Sequence, residues 1–149
     1  MNHIANLYQI NDLLTTAGQP APQDFVEIAK AGYEVVVNLV LPHDATSIAD
    51  ECGLVTELGM NYFHIPVDLQ APHLEAVPLF FDTMQILQAR KTFLHCAFNK
   101  RVSAFYYLHQ KYILRLPETQ ARFPMDNVWQ PPEVWQQFFE TVAKWHAGG

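Results

Sequence analysis

Residues 33–40 read YEVVVNLV, a run rich in β-branched residues and almost unbroken in apolar character. A surface strand would alternate apolar and polar residues, and an amphipathic helix would show a period near 3.6. This run does neither, and it suits a strand buried on both faces, as in a parallel sheet covered by helices. Its flanks agree. "APQDFVEIAKAG" before it is a helix pattern: Pro22 suits the first turn, Phe25, Ile28 and Ala29 share a face, and Gly32 can end it. After it, "DATSIADECGLVTELG" reads as a second helix closed by Gly59, and "NYFHIPV" as a strand. "LEAVPLFFDTMQILQA" is a third helix, started near Glu75 so that Pro78 falls in its first turn. "KTFLHC" is a strand, "RVSAFYYLHQKYIL" a fourth helix and "PPEVWQQFFETVAKW" a last one. "NLYQIND" and "LLTTAGQP" read as two short strands, or as a strand and a turn.

Strand and helix thus alternate from about residue 22 to residue 115. That order predicts an α/β fold with right-handed crossovers: a mostly parallel central sheet of four to five strands flanked by helices. The length of 149 residues fits one domain, 1–149, and neither repeat nor linker interrupts it. Half the residues are hydrophobic and 16% are charged, which is enough apolar material for a core and excludes a disordered chain. A formal charge of -6 argues against a nucleic-acid partner. No stretch approaches a membrane span, and "MNHIANLYQI" is not a secretory signal. Two cysteines, Cys52 and Cys96, cannot build a disulfide framework, so a cytoplasmic setting with free thiols is expected.

In parallel sheets ligands sit beyond the carboxyl ends of the strands. Cys96 ends one strand and Asp68 another, so both are expected on the same rim. Behind Cys96 the chain reads "LHCAFNKRVSAF", a short polar turn leading into a helix. Amides in such a turn, with the free N–H groups of the first helical turn, form an anion cup. A helix N-terminus also favours the thiolate of a cysteine beside it. Arg101 supplies a planar fork that grips two phosphate oxygens at once. The cup needs a residue with positive φ, and Asn99 tolerates it best after glycine. Ser103, in the first helical turn, is placed to donate to the sulfur. The arrangement suits a cysteine nucleophile attacking an oxyanion ester. An inert core cysteine is the alternative for Cys96. Cys52, in mid-helix, is read as packing. His95 should point to the other face of the sheet and brace the loop. Lys100 is read as solvated.

At these residues the chain resembles the cysteine-dependent protein tyrosine and dual-specificity phosphatases. It is most similar to the small bacterial branch related to the β-lactamase-hydrolase-like phosphatases. "TAGQPAPQDF", "VVNLV", "FHIPVD" and "HCAFNKRVSAF" carry the likeness, which covers roughly residues 6 to 139. It implies a metal-independent phosphomonoester hydrolase without cofactor, working through a phosphocysteine on Cys96. Phosphate would be held by Arg101 and by the loop Ala97, Phe98, Asn99, Lys100, Arg101, Val102 and Ser103. The substrate would be a phosphoprotein or a small phosphoester. Two departures stand out: four residues, Ala97 to Lys100, separate Cys96 from Arg101, one fewer than in the common loop, and Val102 stands where that family usually has Arg. The shorter spacing is similar to rhodaneses. A sulfurtransferase with a Cys96 persulfide, and a phosphate-binding module without turnover, therefore stand as alternatives.

Phosphoester cleavage needs a group to protonate the leaving oxygen. Asp68, 28 residues before Cys96 (96 minus 68), is the expected acid, with Asp44 in reserve; a capping or loop aspartate is the bland reading of each. His64 is read as packing and His43 as surface. Trp129 and Trp135 are read as a clasp for the last helix rather than a substrate platform, and Phe105, Tyr106 and Tyr107 as helix core.

Overall fold

The structure, a computed structural model, describes residues 1 and 3–148. Five short strands make one sheet: β1 (Tyr8–Asn11), β2 (Leu14–Ala17), β3 (Val35–Asn38), β4 (Asn61–His64) and β5 (Thr92–His95), in the order β1-β2-β5-β3-β4. Only β1 and β2 run antiparallel; β2, β5, β3 and β4 are parallel neighbours. The fold class is the expected one, and the VVVN run is indeed a buried interior strand.

The pleat divides the core in two. Val35, Val37 and Leu94 face α3 (Ala76–Ile86), α4 (Lys100–Tyr112) and α7 (Glu133–Gly148), where Phe80, Phe105 and Trp135 are buried. Val36 and Phe93 face the other way, onto Phe25 and Ile28 of α1 (Pro22–Lys30) and Val55 of α2 (Glu51–Glu57). Phe105, Tyr106 and Tyr107 are core residues, as expected. Trp135 is the clasp: it is fully buried against Phe105 and Phe138, and its Nε1 donates to the Leu69 carbonyl at 2.8 Å.

Helix boundaries differ at one place that matters. The second helix was expected from Asp44, but α2 begins only at Glu51. The Asp44 carboxylate instead accepts from the Thr46 amide and hydroxyl, at 3.0 and 2.9 Å, and Asp50 caps α2 by accepting from Gly53 N at 3.1 Å. Short polar side chains here compete for the backbone and leave residues 44–50 as loop. The third helix starts at Ala76 with Glu75 as its cap, so Pro78 does fall in the first turn. Two short helices, α5 (Glu118–Ala121) and α6 (Met125–Val128), fill a stretch for which the sequence carries no clear period. Among the described residues no helix is long and apolar enough to cross a membrane, and no cluster of His, Cys, Asp and Glu could hold a metal ion.

Candidate active site

β5 lies between β2 and β3, so its carboxyl end opens at the middle of the rim. Cys96 follows directly, with its amide donating to the Ala17 carbonyl at 3.3 Å. Period-2 alternation sends Cys96 to the α4 side and His95 to the α1 side. Accordingly Cys96 belongs to the cluster built on α3, α4 and α7, while His95 meets Phe25 edge-on at 6.1 Å. Cys96 is fully buried at the floor of the loop.

The loop that follows is held from outside and left open inside. Apart from the antiparallel bridge of Phe98 to Gly18, which draws on the Asn99 amide, no amide from Ala97 to Val102 donates a hydrogen bond to an acceptor among the described residues; Ser103 is the next to do so, to the Asn99 carbonyl at 2.9 Å. Asn99 takes φ 66°, the left-handed conformation expected of it. Its Nδ2 donates to the Asn6 carbonyl at 2.8 Å and to Thr16 Oγ1 at 3.1 Å. Asn6 returns the contact, its own Nδ2 donating to the Phe98 carbonyl at 2.9 Å. The Gln19 amide donates to the Ala97 carbonyl at 2.9 Å. Gly18 makes that approach possible, since a Cβ there would lie 2.6 Å from the Ala97 oxygen. Unspent N–H groups on a braced backbone at a helix start are what an anion nest requires.

Arg101 is 2% exposed. Its Nη1 donates to the Val67 carbonyl at 3.1 Å and its Nη2 to Asp44 Oδ2 at 3.4 Å, while its Nε is buried with no partner. The guanidinium therefore ties the ends of two loops, one carrying Asp44 and the other Asp68, to the start of α4. Asp68 is half-buried; its Oδ1 accepts from the Gln70 amide at 2.9 Å. Partial burial pushes the Asp44 carboxyl up, but the Thr46 amide and hydroxyl and the Arg101 guanidinium outweigh it and hold it below the usual carboxylate range.

Beneath the loop lies a polar brace. The ring nitrogens of His95 face the Cys96 carbonyl at 3.1 Å and Glu51 Oε2 at 2.7 Å, and Gln19 Nε2 donates to Glu51 Oε1 at 2.8 Å. Burial raises the Glu51 pKa, yet hydrogen bonds from His95 and Gln19 and the charge of His95 lower it further, so its carboxyl sits below the ordinary value. His95 thus braces the loop as expected. Glu51, Asn6 and Gln19 carry no catalytic signature in the sequence and were missed; only the string AGQP, noted within a longer motif, marked this support.

The remaining positions divide. The Val102 side chain is fully buried, and Phe98 is half exposed on the loop. The Ser103 hydroxyl donates to the Lys100 carbonyl at 3.1 Å rather than to the sulfur. Lys100 is not freely solvated: it is half-buried, with Nζ 5.8 Å from the Trp129 ring centroid. Cys52 was expected to pack, but it is exposed, because α2 turns that face to water. His43 is exposed, and His64 donates from Nε2 to the Val40 carbonyl at 2.6 Å.

A mostly parallel five-stranded sheet flanked by helices is a fold that solved structures share. The fold is that of the cysteine-based phosphatases. Kinase associated phosphatase, solved with its catalytic-site cysteine replaced by serine, superposes with a TM-score of 0.73 at 14% identity, covering 87% of each chain. PTPMT1, solved in complex with PI(5)P, gives a TM-score of 0.77 at 9% identity over 95% of this chain and 97% of its own. A proposed phosphatase of the DUF442 family from Shewanella putrefaciens CN-32 is 34% identical, with a TM-score of 0.85, over 97% of this chain and 95% of its own. The chain belongs to the DUF442 family. No protein-family model and no curated protein matches the sequence.

Proposed function

We propose that the chain hydrolyses phosphomonoesters through a phosphocysteine on Cys96. The observation that carries this reading is the set of unspent amides of Ala97, Phe98, Lys100, Arg101 and Val102 that follows the Cys96 strand end, beside a buried Arg101 with an unpartnered Nε. A phosphoryl group seated there would have its equatorial oxygens on the amides and on Arg101, and the helix dipole of α4 behind it. The Cys96 sulfur attacks phosphorus in line with the leaving oxygen. A P–S bond forms, the P–O bond breaks, and Asp68 gives the leaving oxygen its proton. In the second step the Asp68 carboxylate takes a proton from water, whose oxygen attacks phosphorus. The P–S bond breaks, and inorganic phosphate and the Cys96 thiolate are released.

Asp68 is favoured over Asp44 as the acid. Asp44 spends Oδ1 on Thr46 and Oδ2 on Arg101 and is held in its charged form, whereas Asp68 sits one residue past the carbonyl that Arg101 grips and keeps one oxygen free of protein donors among the described residues. A phosphorylated ligand is consistent with the fold neighbours, since PTPMT1 is solved with PI(5)P. The choice between phosphoprotein and small phosphoester rests on substrate profiling.

The test is turnover of an aryl phosphate by the intact chain and by Cys96→Ser. The variant should lose turnover and keep vanadate or phosphate binding, because the amides and Arg101 remain. A variant that keeps its rate removes Cys96 as the attacking group.

A further inference from the structure

At the rim opposite Cys96 the molecule carries a cleft of about 380 Å³, walled by Leu14, Met84, Leu87, Tyr106, Leu114 and His109. It opens at the amino ends of the parallel strands. Leu14 begins β2, and Thr92, also in its wall, begins β5. Four residues of extended chain, about 13 Å at ~3.3 Å each, separate Thr92 from Cys96, so this cleft is no part of the phosphate site.

His109 is the feature that apolar packing does not explain. It is 6% exposed, and its Nδ1 is buried without a hydrogen-bond partner. Its ring is surrounded by aromatic faces: Tyr106 stacked at 6.1 Å, Phe81 at 5.9 Å and Phe80 edge-on at 6.3 Å. A Phe or Leu would fill this space without leaving a polar nitrogen unsatisfied. Burial lowers His109 to about 4, so the ring is neutral near pH 7 and offers one donor and one acceptor nitrogen. Nδ1 is closed off, whereas Nε2 has no hydrogen-bond partner among the described residues and keeps accessible surface, so a hydroxyl in the cleft pairs with Nε2. At the mouth stand two exposed leucines, Leu13 and Leu114, and the carboxylate of Asp12, which disfavours an anionic guest.

We propose that this cleft binds a neutral, mainly apolar molecule bearing one hydroxyl group, with the apolar body against Leu14, Met84 and Leu87 and the hydroxyl on His109. The site takes a different chemical class from the phosphate loop and does not depend on the reading of that loop.

The experiment titrates the intact chain with 2-naphthol and, separately, with naphthalene, following the His109 ring resonances by NMR and the affinity by calorimetry. The expected result is a His109 shift with 2-naphthol and a preference for it over naphthalene of about ten-fold, the scale of one hydrogen bond. His109→Phe should abolish that preference and still admit naphthalene. Leu114→Trp, a change at the exposed mouth that spares the core, should block both probes. Vanadate, bound at the far rim, should displace neither. The proposal is overturned if saturating 2-naphthol leaves the His109 resonances unmoved, if the preference survives in His109→Phe, if Leu114→Trp binds both probes as before, or if vanadate competes.

Discussion

Arg101 donates through Nη2 to Asp44 Oδ2 at 3.4 Å while its own Nε is buried without a partner. The guanidinium is thus engaged by the Asp44 carboxylate and, through Nη1, by the Val67 carbonyl, and only Nε is left unsatisfied. An incoming phosphate would satisfy Nε, but it would do so beside the negative charge of Asp44. On the proposed function, Asp44 and the anion would compete for one fork.

Asp44→Asn should therefore tighten vanadate binding, on the order of 5-fold, the scale of about 1 kcal/mol for a partly exposed ion pair. Calorimetric titration of both forms checks this. Weaker binding in the variant would mean that Asp44 aligns Arg101 rather than competing for it.

The role proposed for Asp68 depends on the leaving group. Asp68→Asn should cost little on an aryl phosphate with an acidic phenol. On an alkyl phosphate or phosphotyrosine it should cost on the order of 10²-fold or more. The basic limb of the pH–rate profile should flatten. If Asp44→Asn shows that dependence and Asp68→Asn does not, the acid is misassigned.

Asn99→Ala and Asn99→Gly separate backbone from side chain. Both lose the hydrogen bonds to Asn6 and Thr16. Only alanine also bears the strain of φ 66°, about 1–2 kcal/mol. The glycine variant should be the more stable of the two by about that amount in denaturant titration. Equal stabilities would show that the left-handed conformation is not needed.

Glu51 makes a pH prediction. Its folded pKa lies below the ordinary value of 4.5, so the stability it contributes is fully present above that value and is lost as pH falls through the folded pKa. Glu51→Gln should destabilise the protein by about 1–3 kcal/mol at pH 7 through the weakened pairing with His95. The gap from the unsubstituted protein should narrow below pH ~4.5. A gap that stays constant from pH 7 to pH 3 would contradict the assignment.

The parts legible in the sequence were those with a period or a special backbone need. The VVVN strand, the helix faces and the positive φ at Asn99 all follow from local rules that tertiary context reinforces. The Asp44 loop did not, because Asp44, Thr46 and Ser47 trade helix bonds for side-chain turns that only the three-dimensional contacts reveal. Cys52 was misplaced because the short α2 presents a different face from the long helix expected there. The brace of Glu51, Gln19 and Asn6 joins positions far apart in the chain, and nothing local marks such a contact.

The central claim is the chemical state of Cys96 during turnover. Rapid acid quench of the protein with an aryl phosphate, followed by mass spectrometry of the Cys96 peptide, measures it directly. The account predicts a phosphoryl adduct on Cys96 that is absent when Cys96 is replaced by serine and persists longer in Asp68→Asn. A Cys96 that carries sulfur after exposure to a sulfur donor, and never phosphoryl, would contradict it and assign the loop to sulfur transfer.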